Sequence, residues 1–177
     1  MLKNIIIFSL SILLIGFDFQ PKATFPSDRE KVVLAQILLG EADNNKKDHI
    51  AILWVLHKRW EGFKNGPYYD EKKHTFLKYI SQYSSVMKVN TKRARAIRRL
   101  KWNEDPPKNS PFKASSWNKI KETVDLWYQG YYKDPCKSAI HWGSITDGYP
   151  AETDKVSWQK VSCGRTKNLF YKRKYKR

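Results

Sequence analysis

Apolar residues recur at helical spacing at Val33, Leu34, Ile37 and Leu38, and the run Leu34–Leu39 stops at Gly40. Ser27-Asp28-Arg29-Glu30 ahead of it reads as a capping box, with Ser27 at the N-cap and Glu30 three residues on. The pattern predicts a helix to about Leu39, ended by Gly40. Ile50, Leu53, Trp54 and His57 repeat the spacing and predict a second helix over about 48–60, with His57 at its amphipathic boundary. Residues 62–75 read as a loop and 76–83 as a short aromatic piece. A strongly basic helix follows over 91–100, then a proline-rich loop over 105–111. Trp117, Ile120, Val124 and Trp127 share one face of a further helix, capped by Ser115 or Ser116 and ended by Gly130. Beyond it the chain is rich in turns. Short apolar pieces at 139–142, 156–158 and 169–171 read as strands of a small sheet, and the lysine- and arginine-rich tail from Tyr171 as frayed.

The first residues change this picture. Met1-Leu2-Lys3-Asn4 is a short basic segment, and Ile5–Phe17 is an almost purely apolar run. It has the length of a signal-peptide core and is too short to cross a bilayer. Residues 1–23 are therefore read as a leader for export, with Ala23 as a candidate end, and residues 24–177 as one domain with a basic tail.

Charge narrows the partner. The chain of 177 residues carries 34 Lys+Arg against 17 Asp+Glu, a net charge of +17. Such a surplus predicts a polyanion. Export disfavours an intracellular nucleic-acid role and leaves the acidic polymers of a cell envelope. The basic helix over 91–100 would either hold such a polymer or form a solvated face. Two cysteines, Cys136 and Cys163, are expected to form one disulfide in an exported chain; two reduced buried thiols are the alternative. The histidines at 49, 57, 74 and 141 show no ligand spacing with the cysteines, so no metal site and no cofactor are expected.

The candidate chemistry lies at the first helix end. Glu41 follows Gly40 on a rigid element, beside apolar walls and partly negative unpaired carbonyls. Both neighbours disfavour the ionised carboxylate, which suits a general acid. No second carboxylate sits on a predicted rigid element: Asp43, Asp70, Asp147 and Asp154 fall in loops. One carboxyl group is enough when the substrate supplies its own nucleophile. Seven tryptophans and ten tyrosines offer platforms for sugar rings, although most must build the core.

Leu34–Ala42, followed by the helix over 50–60, resembles the opening of the spore-cortex-lytic type of cell wall hydrolase. Gln82-Tyr83-Ser84, Ala139-Ile140-His141-Trp142 and Asn168-Leu169-Phe170-Tyr171 resemble later motifs of that family, in the same order. The likeness spans about residues 30–173. It departs at His57-Lys58-Arg59, where the family has asparagine-arginine, and in the closing motif, which lacks its histidine. The resemblance implies an α+β, mainly helical, lysozyme-like domain with a small antiparallel sheet. It implies cleavage between N-acetylmuramic acid and N-acetylglucosamine in peptidoglycan by a monomeric lytic transglycosylase, with Glu41 as acid and base. Gln82, Tyr83 and Ser84 would line the cleft, with His141 and Trp142 on a strand facing it. A non-catalytic binder of acidic envelope polymers is the second reading. A secreted nuclease or nucleic-acid binder ranks third, because charge alone suggests it.

Overall fold

The computed structural model describes residues 26–42, 44–143, 150 and 156–175. The leader read at 1–23 lies outside them, as do Asp43, Asp147 and Asp154. Among the described residues six helices precede three strands: α1 (Asp28–Ala42), α2 (Lys46–Lys64), α3 (Phe76–Ile80), α4 (Ser85–Lys88), α5 (Lys92–Arg98), α6 (Ala114–Tyr128), β1 (His141–Gly143), β2 (Val156–Val161) and β3 (Leu169–Tyr175). The strands form one antiparallel sheet in the order β1-β3-β2. The fold is thus α+β and mainly helical, with the small antiparallel sheet expected.

The α1 helix is the centre of the molecule, and every other helix touches it. Its segment Leu34–Leu39 is buried all round, including the polar Gln36. A helix covered on all sides must satisfy any polar side chain it buries. Gln36 does so by donating from Nε2 to the carbonyls of Arg98 and Leu100, at 3.2 and 2.9 Å, which satisfies the open end of α5. At the N-terminus Ser27 Oγ accepts from the Glu30 N–H at 3.2 Å, as a capping box requires. The Glu30 carboxylate turns instead to the Tyr128 hydroxyl of α6. Burial and that carboxylate hold the Tyr128 phenol above its ordinary range.

Gly40 does not end α1, contrary to expectation. The helix runs through it to Ala42, and the glycine serves a close approach instead. A Cβ placed on Gly40 would come within 2.7 Å of the Cβ of Val86 in α4, so only glycine lets the two helices meet this closely. The α2 helix is longer than periodicity suggests, because Asn45 caps it two residues earlier, accepting from the N–H groups of Lys47 and Asp48. The α6 helix starts at Ala114 without a side-chain cap, so neither Ser115 nor Ser116 plays that part. Its end follows the sequence reading. Gly130 has φ of 75°, Gly130 N–H donates to Trp127 O, and Tyr131 N–H donates to Leu126 O. Trp117, Ile120, Val124 and Trp127 are all buried beneath it.

The basic tail is not frayed over its described length. β3 continues to Tyr175, pairing Arg173 with Trp158 and Tyr175 with Val156. Phe170 and Tyr171 are both buried, so the start of β3 is covered on both faces, and the cations Lys172, Arg173 and Lys174 follow where the strand runs outward to the surface. Cys136 and Cys163 are joined, with Cα atoms 4.8 Å apart, and staple the approach to β1 onto the turn after β2.

Candidate active site

Glu41 occupies the last turn of α1, half-buried, and its carboxylate meets the start of α4. Oε1 accepts from Ser84 Oγ at 2.7 Å, from the Ser85 N–H at 3.1 Å and from Ser85 Oγ at 3.2 Å. Ser84 is the N-cap residue of α4 by backbone geometry, yet its side chain makes no cap bond within the helix. Glu41 supplies that acceptor from across the fold, which satisfies an otherwise open N–H of the helix. The three donors fix one oxygen and the plane of the carboxylate; Oε2 has no protein donor among the described residues. Gly40 is what makes this reach possible, since it sets how near α4 lies to α1.

The backbone at Glu41 is held from a third direction. Asn168 donates from Nδ2 to the Glu41 carbonyl at 3.1 Å. Asn168 is itself fixed by Asp48, a fully buried residue in the first turn of α2. The Asp48 carboxylate accepts from the N–H groups of Lys167 and Asn168, both at 2.9 Å. A buried carboxylate is tolerated only when such donors surround it, and a helix N-terminus favours its charge. Asp48 thereby ties the entrance of β3 to α2, and β3 to the end of α1.

Arg59 links the helices to the sheet. Its guanidinium lies over the Tyr83 ring, 4.6 Å from the centroid, and 5.5 Å from that of Trp142. Nε donates to the Ile140 carbonyl, and a terminal nitrogen lies 2.7 Å from Nδ1 of His141. Guanidinium only donates, so Nδ1 of His141 is the acceptor. Burial pulls Arg59 below its ordinary value, opposed by Tyr83 and Tyr79. The Tyr79 hydroxyl donates to the Arg59 carbonyl at 3.1 Å, and burial together with a Tyr83 hydrogen bond holds that phenol above its usual range.

The residues singled out from sequence therefore take different places. Ser84 touches Glu41 directly. Tyr83, 40% exposed, stacks between Arg59 and Tyr79. Gln82 lines two cavities beside α3, of about 550 and 180 Å³, and Glu41 lines neither. His141 joins Arg59, with the Trp158 ring 5.5 Å away. His141 and Trp142 both lie on β1. Consecutive strand residues point to opposite sides, and Trp142 is the one turned into the core.

Ser85, Arg59, Asp48 and Asn168 were not singled out as site residues. Asp48 reads as an ordinary first-turn acid, and no local pattern reveals that it holds a backbone well over a hundred residues away. Asn168 lies inside a motif quoted for the resemblance, which was the one available signal. No group of three or more His, Cys, Asp or Glu among the described residues is placed to hold a metal ion. Comparison with protein families, curated proteins and solved structures returns no match to this chain.

Proposed function

We propose that the protein is an exported, monomeric, lysozyme-like lytic transglycosylase that cleaves peptidoglycan between N-acetylmuramic acid and N-acetylglucosamine. One observation carries this reading: segments that separately resemble one family's motifs converge on one carboxylate. Ser84 of Gln82-Tyr83-Ser84 donates to Glu41 Oε1, and Asn168 of the closing motif donates to the Glu41 carbonyl. His141 of a further motif reaches the same neighbourhood through Arg59, which stacks on Tyr83.

The chemistry follows from the two unlike oxygens of Glu41. The serines hold Oε1, and Oε2 faces the reaction. Protonated Glu41 gives its proton to the glycosidic oxygen as the bond from the anomeric carbon breaks. The carboxylate then takes the proton of the sugar's own 6-hydroxyl as that oxygen bonds to the anomeric carbon. The product is an anhydro-muramic end, and no water is consumed. Ser84 and Ser85 steady the carboxylate through both transfers. No cofactor enters the scheme.

A second reading rests on the same contacts: Glu41 as a cap on α4 in a non-catalytic protein that holds acidic envelope polymers. Incubation with purified peptidoglycan separates them. The enzyme reading expects soluble muropeptides with anhydro ends by mass spectrometry, lost in Glu41→Gln while sedimentation with the wall persists. Release of none by the wild type overturns it. Ends carrying an added water would replace the transglycosylase step with hydrolysis.

A further inference from the structure

Two cavities adjoin beside α3, with Thr75, Lys78 and Gln82 lining both. The two ends of this pair differ in chemistry. The smaller end, about 180 Å³, is aromatic: Phe63 and Tyr79 stack at 4.9 Å, and Tyr79 meets Tyr83 at 4.7 Å. Tyr83 precedes Ser84, the donor to Glu41, so this end lies one residue from the candidate acid's partner. The larger end, about 550 Å³, is lined by Arg29, Lys78 and Lys88, which come from α1, α3 and α4. Among the described residues no acidic side chain lines either end. Arg29 and Lys88 make no ion pair with the described residues, and Lys78 donates only to the Lys73 carbonyl, at 3.2 Å.

Aromatic faces suit sugar rings, and three cations from separate elements without a balancing acid suit a ligand with several negative groups. We propose that the adjoining cavities act together as one groove, an extended subsite. Its aromatic end takes a sugar ring, and Arg29, Lys78 and Lys88 take the carboxylates of a peptide stem carried on that glycan. The proposal rests on the peptidoglycan reading of Glu41 and names what that site selects. A stem-bearing strand matches both ends of the groove, whereas a polymer of phosphodiesters without sugar rings would use the cationic end alone.

The test is a binding titration, which needs no turnover. The probes are the N-acetylglucosaminyl-N-acetylmuramic acid disaccharide with and without a tetrapeptide stem; neither contains the bond the enzyme would cut. The full protein is expected to bind the stem-bearing probe about tenfold more tightly at low salt, the scale of a few exposed charge pairs acting together. Raising the salt should shrink the difference. The double variant Arg29→Gln, Lys88→Gln, at residues that line the larger end alone, should bring it to about twofold or less, leaving affinity for the stem-free probe and the thermal melt unchanged. Arg29→Gln, remote from the Lys73 contact, should reduce it on its own. Equal affinity of the wild type for both probes overturns the proposal, as does a preference that survives in all the variants. Displacement of the stem-bearing probe by poly(glycerol phosphate) at lower concentration than by itself also overturns it, in favour of a phosphodiester polymer. Absence of muropeptide release would overturn the catalytic reading while leaving these titrations interpretable.

Discussion

Gly40 and Val86 meet so closely that a methyl group on the glycine would lie 2.7 Å from the valine Cβ. That contact places the start of α4, and with it Ser84 and Ser85, within hydrogen-bond reach of Glu41. It also sets two opposing effects of substitution against each other. Glycine inside a helix normally costs about 0.5–1 kcal/mol relative to alanine. Overpacking a tight contact costs about 1–3 kcal/mol. At Gly40 the second effect wins, because the clash is with the branched Cβ of a buried valine and not a flexible chain end. Gly40→Ala is expected to lower the urea midpoint and to reduce peptidoglycan lysis by displacing the serines. Gly62 in α2 has nothing within 4 Å of its would-be Cβ, so Gly62→Ala should stabilise the fold by about 0.5–1 kcal/mol and raise the midpoint. A stabilising Gly40→Ala would remove the close-approach argument.

Ser84→Ala tests the carboxylate's orientation with a minimal change. The hydroxyl is fully buried and donates the shortest of the three bonds to Oε1. A hydrogen bond to a charged group contributes about 1.5–3 kcal/mol. If that energy steadies Glu41 through the proton transfers, turnover should fall roughly 10- to 100-fold. Lysis kinetics on purified peptidoglycan check this, with circular dichroism confirming the fold. Unchanged turnover would mean that Ser84 caps a helix and does nothing for the chemistry.

Asp48 carries the connection from α2 to the sheet. Asp48→Ala leaves the N–H groups of Lys167 and Asn168 without their acceptor inside the protein. Each bond lost to the carboxylate costs about 1–3 kcal/mol, so the substitution should destabilise by about 2–6 kcal/mol in total. Asn168→Ala removes the bond to the Glu41 carbonyl but leaves Asp48 with its backbone partners, and should cost about 0.5–1.5 kcal/mol. Denaturant midpoints of the two variants give the order directly; an Asn168 effect larger than the Asp48 effect would invert this account.

How far the sequence discloses this arrangement depends on the range of each interaction. The face of α6 and its ending at Gly130 are local, and both were legible in periodicity and turn chemistry. The three strands were legible as short apolar pieces, although the tail was not. A run of cations reads as solvated until its partner strand is known, and β2 is that partner. Gly40 was legible as special but for the wrong reason: a helix end and a helix crossing call for the same residue. Arg59 is one cation among several inside α2, and only the tertiary fold puts Tyr83 and His141 against it. Gln82-Tyr83-Ser84 shows the limit most clearly. Of these three adjacent residues, Gln82 and Tyr83 line a cavity beside α3, Tyr83 also lying against Arg59, while Ser84 turns to the Glu41 carboxylate.

The bond between Cys136 and Cys163 spans 27 residues and encloses β1 and β2. On the chain-entropy model closing a loop of this length stabilises by about 3–4 kcal/mol. The double variant Cys136→Ser, Cys163→Ser should therefore melt at a lower temperature than the oxidised protein. Adding a reductant should lower the melting temperature of the wild type toward that of the variant, and should leave the variant unaffected. Identical melts with and without reductant would show that the bond contributes nothing to stability.

His57 gives the fold a sensitivity to mild acid. Its ring lies edge-on to Trp54 and Trp127, with centroids 5.7 and 5.9 Å away. Burial lowers its pKa below the ordinary 6.5, with Lys64 and Lys58 acting in the same direction and Glu61 and Asp134 opposing. The folded protein then binds fewer protons at His57 than the unfolded chain. Stability contributed by the neutral ring is present above about 6.5 and declines as pH falls through that value toward the lower folded pKa. Replacing the ring with the uncharged His57→Gln removes the titration, so the variant's urea midpoint should change less than the wild type's between pH 7 and pH 5. The carboxylates are common to wild type and variant, so their contribution cancels in the comparison. If wild type and variant lose stability in parallel, the acid sensitivity belongs to another group.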